Sequence, residues 1–175
     1  PFRATINNVE YDHADIYPDL ASIEHVFERF AALLPEDGSL WVNGDDPRAL
    51  HVARDATCPV KTFGLGPDND LLAKDIQYAP EATTLKVVHR GEDLGTFTLK
   101  TPGEFNVRNL LGALGMALDE GLDLEVCRKA FAEFVATRKR QELIGEVQGI
   151  KVYDDFAHHP TAVGVTVKAL RALYP

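Results

Sequence analysis

Residues 40–47 have the sequence LWVNGDDP, in which three apolar side chains run directly into a polar turn that ends in Asp46-Pro47. The apolar run predicts a buried strand, and the proline predicts the start of a short helix through Val52. Residues 60–63 predict a further strand, which Gly64 ends. Strands and helices in alternation build a mostly parallel sheet with helical layers, so we predict an α/β fold.

The same alternation continues towards the N-terminus. Residues 3–9 contain enough apolar side chains to predict a first strand, and this strand stops in a polar loop. Within residues 20–34 the apolar side chains recur at spacings of three and four, which places them on one face of an amphipathic helix. Such a helix is expected to form part of a helical layer on the sheet.

The hydrophobic period changes in the middle of the chain. Residues 84–88 and 96–100 alternate with period two around a turn at 90–93, which is typical of an antiparallel hairpin. Residues 75–78 predict a third strand beside it. We expect this small antiparallel sheet to cover one edge or one face of the larger sheet.

Two helices are predicted after the hairpin. Residues 107–120 carry leucines along one side, and Gly121 is placed to end this helix in the left-handed conformation. Asp123 is expected to cap a second helix, whose apolar side is predicted to hold the following residues: Val126, Ala130, Phe131 and Phe134.

A second structural unit is predicted at the C-terminal end. The polar and basic residues 137–140 suit a linker, and residues 144–147 and 150–153 predict a hairpin around Gln148-Gly149. A loop over 154–161 leads to a last helix at 162–173. About forty residues cannot bury a core alone, so this unit is expected to begin a second, Rossmann-like α/β domain.

These patterns predict two domains, a central one over residues 1–136 and a hinge with the beginning of a second domain over 137–175. The chain starts with Pro1 rather than methionine and enters a strand at once. It also stops directly after a helical pattern. We therefore expect the chain to be a fragment of a longer polypeptide.

Composition excludes several classes of protein. The formal net charge is −9 with no Lys/Arg-rich run, which argues against a nucleic-acid partner. No apolar run approaches the length of a membrane span and no leader is visible, so a soluble cytoplasmic protein without a membrane partner is expected. Cys58 and Cys127 lie far apart without a metal-binding spacing, and are expected to be buried free thiols.

The first polar cluster, residues 7–15, follows the first predicted strand. Its carboxylates and its histidine suit Mg²⁺ bound together with phosphates and water. The alternative is a polar turn with a helix cap. The cluster lies where open α/β sheets bind ligands, but taken alone its residues favour the polar turn with a helix cap.

The second cluster, residues 103–109, lies at the start of the long predicted helix. Asn106 and Asn109 each offer a donor and an acceptor, which reading the edge of an adenine needs, and a helix start also favours anions. The alternative interpretation is that Asn106 is simply the N-cap.

The third cluster combines the basic residues 138–140 with residues 153–161. Arginine can neutralise a phosphate, and a carboxylate can bind ribose hydroxyls. The alternatives are a solvated linker and a structural loop before a helix that begins with proline. The adjacent pair His158-His159 cannot be assigned as a zinc site without other ligands.

In this order and at these spacings the clusters resemble the Mur ligase family. Residues 8–15 resemble its Asn-x-x-x-Asp-His-x-Asp segment, 43–46 its Asn-x-Asp-Asp strand end, and 103–109 its Gly-x-His-Asn-x-x-Asn helix start. Arg140 and Asp154-Asp155 resemble its hinge arginine and the aspartate that opens its C-terminal domain. The resemblance implies a three-layer αβα central domain that binds ATP, followed by a C-terminal ligase domain.

Residues 10–17 and 153–162 narrow this resemblance further. They are similar to the family members that join L-alanyl-γ-D-glutamyl-meso-diaminopimelate, the murein tripeptide, to UDP-N-acetylmuramate during peptidoglycan recycling. The alternatives are a member that adds L-alanine to the same sugar nucleotide, a non-catalytic module with a Mur-like fold, and a folate-type amide ligase.

The resemblance also implies roles for individual residues, with ATP and Mg²⁺ as cofactors. His13 would be a catalytic residue and a ligand of Mg²⁺, and Arg140 would contact phosphate or ribose near the hinge. The other residues implied in nucleotide binding are Asn43, Asp45, Asn106, Asn109 and Asp155. The residues implied in substrate binding are Asn8, His158 and His159.

The sequence departs from the family pattern in three places. Phe105 stands where the family often has histidine, so only the two asparagines carry over. The predicted helix over 20–34 contains no lysine that could be carbamylated, so another arrangement has to handle a second metal. No phosphate-loop motif occurs in these residues, and the chain alone is therefore expected to be inactive and to bind nucleotide weakly.

Overall fold

The structure, a computed structural model, describes residues 1–80 and 82–174; Pro175, the last residue of the predicted second domain, lies outside them. Its elements follow in chain order: β1 (Arg3–Ile6), α1 (Leu20–Ala31), β2 (Ser39–Asn43), α2 (Pro47–Ala53), β3 (Val60–Gly64), β4 (Leu71–Tyr78), β5 (Thr83–His89), β6 (Glu92–Leu99), α3 (Glu104–Asp119), α4 (Leu124–Glu133), β7 (Glu142–Val147), β8 (Ile150–Asp154) and α5 (Pro160–Leu173). The predicted α/β fold class is confirmed.

Six strands form one sheet in the order β1-β2-β3-β4-β5-β6. The first four are parallel, while β4, β5 and β6 are antiparallel to one another. The antiparallel strands, which were expected to cover an edge or a face, extend the edge of the parallel sheet. This continuity rests on a short pairing of β3 with β4, in which Phe63 is opposite Leu71 and Gly64 is opposite Leu72.

The alternation of side chains in β2 shows why the sheet carries helices on both faces. Leu40 and Val42 are fully buried in one apolar cluster with residues of α1 and α2. Trp41 points to the opposite face and is buried in a second cluster with residues of α3 and α4. Successive side chains of a strand point to opposite faces, so this strand needs two helical layers, and the three-layer arrangement is confirmed.

Close packing places α3 against the sheet. A Cβ on Gly115 would lie 2.5 Å from the Trp41 ring, so a larger residue would push the helix away. The C-terminal end of α3 is held by Asp119, which accepts hydrogen bonds from Ser39 Oγ (2.6 Å), Trp41 Nε1 (2.9 Å) and Lys61 Nζ (2.5 Å).

The start of α3 corrects one sequence interpretation. The helix begins at Glu104, three residues earlier than predicted, and its N-cap is Gly103 with φ 101°. Asn106 therefore lies inside the first turn, and its interpretation as the N-cap is wrong. At the other end Gly121 has φ 68° and Leu122 N–H donates to the Ala117 carbonyl (3.1 Å), which confirms the predicted left-handed ending.

Helix α4 packs against β6, the outermost strand at one end of the sheet order. Arg128 donates a hydrogen bond to the Leu94 carbonyl of this strand, and its guanidinium lies 5.3 Å from the Phe97 ring centre. The predicted cap is confirmed, because the Asp123 side chain accepts from the N–H groups of the first turn. Val126 and Phe134 were predicted on the apolar side but are exposed, since the buried face of this short helix is centred on Cys127.

The C-terminal unit is a two-stranded ribbon followed by α5. Gln148 and Gly149 join β7 to β8 with φ 51° and 78°, as a tight turn of type I′ requires. Helix α5 begins at Pro160, two residues earlier than predicted. Of its residues Ala169 and Leu173 are buried, and a Cβ on Gly103 would lie 2.8 Å from the Ala169 Cβ, so α5 rests against the start of α3.

Two further expectations concern single residues and the membrane. Cys58 and Cys127 are buried free cysteines, as predicted, and burial raises the pKa of both thiols. Among residues 1–80 and 82–174 there is no helix with both the length and the apolar composition needed to cross a bilayer.

Candidate functional site

A cleft of about 1000 Å³ lies between the sheet and the C-terminal unit. Its walls come from the carboxyl ends of β1 and β2, the first turns of α3, the end of α4, the linker and the start of α5. Eight of the predicted site residues line it: Asn8, Asn43, Asp45, Asn106, Asn109, Arg140, Asp155 and His159. His13 and His158 are not among the lining residues. The location agrees with the rule that open α/β sheets bind ligands beyond the carboxyl ends of their strands.

Asn43 ties the ends of β1 and β2 together. Its side chain is buried, its Nδ2 donates to the Asn7 carbonyl (2.8 Å), and its Oδ1 accepts from Asp45 N (3.1 Å). Both ends of the amide are thus engaged with protein groups. The contact fixes the backbone from which Asn7 and Asn8 reach the cleft.

Asp45 is held by hydrogen bonds from the loop between β3 and β4 and from α3. It accepts from Leu65 N (2.7 Å), Gly66 N (3.0 Å), Asn69 Nδ2 (2.9 Å) and Arg108 Nη2 (3.2 Å). Burial alone would raise the pKa of this carboxyl, but the hydrogen bonds outweigh it and lower the pKa below its usual value. The resulting fixed negative charge orients Arg108 at the wall of the cleft.

The two asparagines of α3 are oriented by different neighbours. Asn106 Nδ2 donates to the Pro102 carbonyl (2.7 Å) and to Gln141 Oε1 (3.3 Å). Asn109 Oδ1 accepts from Asn7 Nδ2 (2.6 Å). Residues three apart on a helix share a face, so both side chains point to the same wall of the cleft.

The linker folds back onto the loop that follows β8. Asp155 accepts from Gln141 N (2.9 Å) and from Ala157 N (2.8 Å), and the Lys139 carbonyl accepts from Phe156 N (2.8 Å). Arg140 lies over the Phe156 ring at 5.9 Å and lines the cleft. Residues 138–140 are all exposed, as the alternative of a solvated linker expects, and Arg140 borders the cleft as well.

Three histidines gather where the loop after β1 meets the loop before α5. His158 Nε2 lies 3.9 Å from Asp12 Oδ2, and His159 Nε2 lies 3.8 Å from Glu10 Oε1. His13 Nε2 is 3.9 Å from the same Asp12 carboxylate. A hydrogen bond from the His13 backbone N–H lowers the pKa of Asp12, and the nearby histidines add to the effect.

A complete cation site is not formed by protein groups in the described part of the chain, where no three His, Cys, Asp or Glu side chains are grouped to hold a metal. Mg²⁺ in phosphate-transferring sites usually keeps water and substrate oxygens among its ligands. The exposed His13 side chain and the adjacent Asp12 fit such a partial set, in which substrate phosphate supplies the remaining oxygens.

Sequence reasoning missed two polar residues of the cleft, Arg108 and Gln141. Arg108 could have been found from its spacing of four from Glu104 on a helix, since the two side chains pair at 2.5 Å. Gln141 carried no signal of this kind, because its partner Asn106 is 35 positions away in the sequence.

Comparisons with known protein families agree with this architecture. The family model described as Mur ligase middle domain matches residues 1–117. A second model, described as Mur ligase, glutamate ligase domain, matches residues 139–175. The first model covers the six-stranded sheet and most of α3, and the second covers the C-terminal ribbon with its helix.

Individual relatives give the same result. A UDP-N-acetylmuramate–L-alanine ligase from Clostridium novyi (strain NT) is 36% identical over 171 residues, which is 98% of this chain and 37% of the relative. A murein peptide ligase from Psychrobacter arcticus has a TM-score of 0.69 at 26% identity, covering 98% of this chain and 35% of that one. MurF from Thermotoga maritima, solved with ADP, has a TM-score of 0.83 at 18% identity over 98% of this chain and 39% of that one. The chain spans little more than a third of these proteins.

Proposed function

This chain belongs to the Mur ligase family, and from that premise we propose that it is part of an ATP-dependent amide ligase. The bond formed links L-alanyl-γ-D-glutamyl-meso-diaminopimelate to UDP-N-acetylmuramate. The domain division at residues 136 and 137 is part of this proposal. The chain would supply the adenine side of the nucleotide site and the surface that receives the peptide.

The choice of the tripeptide rests on the resemblance of two segments to the tripeptide-adding members, and the contacts between these segments support a site for an incoming amine. The two segments that resemble the tripeptide-adding members, residues 10–17 and 153–162, come from opposite sides of the cleft. Their side chains meet in the contacts of His158 with Asp12 and of His159 with Glu10, at 3.9 and 3.8 Å. Paired carboxylates and imidazoles at one point suit an incoming amine, which must be bound and must lose a proton before it attacks.

The proposed reaction has two steps. A lactyl carboxylate oxygen of UDP-N-acetylmuramate attacks the γ-phosphorus of ATP, the bond to the β-phosphate oxygen breaks, and ADP leaves. The peptide nitrogen then attacks the acyl carbon, loses its proton, and inorganic phosphate departs as the amide forms. In this proposal His159, which lines the cleft, and its neighbour His158 bind the amine and accept that proton, and Asn8, which also lines the cleft, contacts the sugar nucleotide.

Charge is the obstacle that this site has to overcome, because carboxylate and triphosphate repel each other. Mg²⁺, with His13 as a protein ligand, would supply charge neutralisation between them. Arg140 faces the cleft from the linker, where its guanidinium can pair with phosphate or reach the ribose. Asp155 keeps acceptor capacity for ribose hydroxyls beyond the two backbone hydrogen bonds that position it.

The orientation of the asparagines supports adenine as the base. Asn106 uses its Nδ2 for two protein contacts, which leaves its Oδ1 to accept from a ligand. Asn109 uses its Oδ1 for Asn7, which leaves its Nδ2 to donate. One acceptor and one donor match the amino group and ring nitrogen of adenine. Asn43 and Asp45 support this site through the framework that holds Asn7 and Arg108.

A second candidate is the addition of L-alanine to the same sugar nucleotide. The observation in its favour is the 36% identity to the Clostridium novyi ligase of that name. The two candidates share ATP, Mg²⁺ and the acceptor, and differ only in the amine that enters.

The deciding experiment measures phosphate release by the longest polypeptide that carries this chain, with ATP, Mg²⁺ and UDP-N-acetylmuramate. Release with the tripeptide and little with L-alanine supports the proposal. The reverse result assigns the protein to L-alanine addition, and release with neither indicates a non-catalytic module. The 175-residue chain alone is expected to release none and to bind ATP weakly, so micromolar ATP binding contradicts the latter expectation.

Variants of the histidine contact sharpen this experiment. His158→Asn is expected to lower kcat/KM for the tripeptide by about tenfold or more, the loss of one charge-assisted hydrogen bond. His25→Asn serves as the matched control, because His25 is exposed on α1 away from the cleft. Equal effects of the two substitutions contradict the placement of His158 at the peptide.

A further inference from the structure

We propose that Gln141 is a positioning residue that makes the cleft select adenine, by holding, together with the Pro102 carbonyl, the orientation in which the Asn106 amide faces the ligand. The inference rests on the proposed function, since it needs an adenine nucleotide in the cleft. Gln141 lies in the linker, lines the cleft, and accepts a hydrogen bond from Asn106 Nδ2 at 3.3 Å.

The orientation of these amides follows from a chain of hydrogen bonds. A backbone carbonyl can only accept, so the Asn106 atom 2.7 Å from the Pro102 carbonyl has to be Nδ2. The same Nδ2 then faces Gln141, whose nearer atom has to be the acceptor Oε1. The second hydrogen of Nδ2 is thereby used, and Oδ1 remains as the end of Asn106 that a ligand can meet.

The amide of Gln141 keeps this orientation at a cost. Its Nε2 is buried and finds no hydrogen-bond partner among residues 1–80 and 82–174. The backbone adds strain, since Gln141 and Lys139 have φ 49° and 60°. A buried donor without a partner costs free energy, and so does a non-glycine residue in the left-handed region. Such costs are tolerated where the protein needs one particular side-chain orientation.

Gln141 also connects the base side of the cleft to the ribose side. Its backbone N–H donates to Asp155 Oδ2 at 2.9 Å, while its side chain reaches Asn106. One linker residue therefore positions both groups. Guanine presents a carbonyl where adenine presents its amino group, and this carbonyl would face Asn106 Oδ1 as acceptor against acceptor.

The test compares AMP and GMP binding to the 175-residue chain by NMR titration of its backbone and side-chain amides. The wild-type chain is expected to prefer AMP. Gln141→Met keeps the length of the side chain but removes the acceptor, so the preference falls about tenfold, the equivalent of about 1.4 kcal/mol. Gln141→Glu keeps an acceptor at the same place and retains the preference. Gln148→Met changes a glutamine with a similar φ in the exposed β7–β8 turn and leaves the preference unchanged.

Thermal unfolding of each variant separates positioning from folding. Gln141→Met is expected to melt no lower than wild type, because it removes a buried donor without a partner. If the wild-type chain prefers AMP and Gln141→Met keeps that preference, the role of Gln141 is overturned. Loss of the preference in folded Gln141→Glu overturns it as well. In both cases the proposed adenine site is unaffected. A wild-type chain that shows no preference overturns the adenine site and the role of Gln141 together.

Discussion

The three-layer unit and the C-terminal unit differ in how much of their apolar surface they bury. In the first, Trp41, Phe63, Phe97 and Leu111 are 0–1% exposed. In the second, Leu143, Ile144, Val147, Ile150 and Val152 are 45–68% exposed on the ribbon. Both units contain similar fractions of apolar residues, so composition does not distinguish them. The two units differ because only the first has helical layers on both faces of its sheet.

This difference teaches where stability and function reside in the chain. Burial of apolar surface is the main favourable contribution to folding, and here the three-layer unit supplies nearly all of it. The C-terminal unit is held by its ribbon, by hydrogen bonds at the linker and by contact of α5 with the start of α3. Yet this weakly packed unit contributes Arg140, Asp155 and His159 to the cleft.

The largest expected difference in stability between the two units comes from truncating one leucine in each. Leu111→Ala removes a fully buried side chain and is expected to lower the free energy of unfolding by about 2–5 kcal/mol. Leu143→Ala removes the same atoms from a side chain that is 48% exposed, and a change within about 0.5 kcal/mol is expected. Urea denaturation measures both, and equal losses contradict the assignment of stability to the three-layer unit.

Removal of a buried carboxylate is expected to have the next largest effect. The Asp119 side chain is 8% exposed, and its loss leaves Trp41 Nε1 and Lys61 without their acceptor. Asp119→Ala is expected to cost about 3 kcal/mol in the free energy of unfolding. Asp37→Ala, at an exposed aspartate in a turn, is the control and is expected to change little.

The effect of Asp119 also has a defined pH dependence. Burial alone would raise the pKa of this carboxyl, but hydrogen bonds from Lys61, Ser39 and Trp41 outweigh it and lower the pKa. The stabilisation is therefore present above the unfolded-state pKa of about 3.9 and is lost as the pH falls through the lower folded-state pKa. Denaturation of Asp119→Ala and wild type at about pH 7 and about pH 3 is expected to show a smaller difference in acid.

Removal of a helix cap from each unit is expected to have the smallest effect on the free energy of unfolding. Asp123 caps α4 with hydrogen bonds of 2.9 and 3.1 Å, whereas His159 caps α5 through one contact of 3.4 Å from Ala162 N. Asp123→Ala is expected to cost about 1 kcal/mol, and His159→Ala a few tenths, in thermal unfolding. A larger loss from His159→Ala indicates that the contact with Glu10 contributes to stability as well as to the site.

Much of the fold was accessible from local pattern. The alternation within LWVN at residues 40–43, the spacing of three and four in α1, and Gly121 each act through neighbours in sequence, and each was predicted correctly. The start of α3 was missed because Pro102-Gly103 suits a turn as well as a helix start. Only the φ of 101° at Gly103 shows that the helix begins directly after it.

The candidate site was predictable where it depends on residues near strand ends and helix starts. Asn106 and Asn109 were identified in this way, while Asp45 was implied by the resemblance to the family, and all three line one cleft. Their roles towards nucleotide stay predictions. Gln141 could not be found, because its partner Asn106 lies 35 positions away in the sequence. Arg108 had a local signal in its spacing of four from Glu104, but its contact with Asp45, 63 positions away, had none. Contacts of this kind arise from tertiary packing, which single-sequence periodicity does not encode.

The guanidinium of Arg128 has a consequence for how these chains behave towards one another. An outermost strand offers unused N–H and carbonyl groups to any other strand, and such edges start aggregation. Arg128 occupies the Leu94 carbonyl of β6 and brings a charge to that edge. A single side chain of α4 thus helps to keep the sheet from growing into a neighbouring molecule, which matters most in a concentrated solution.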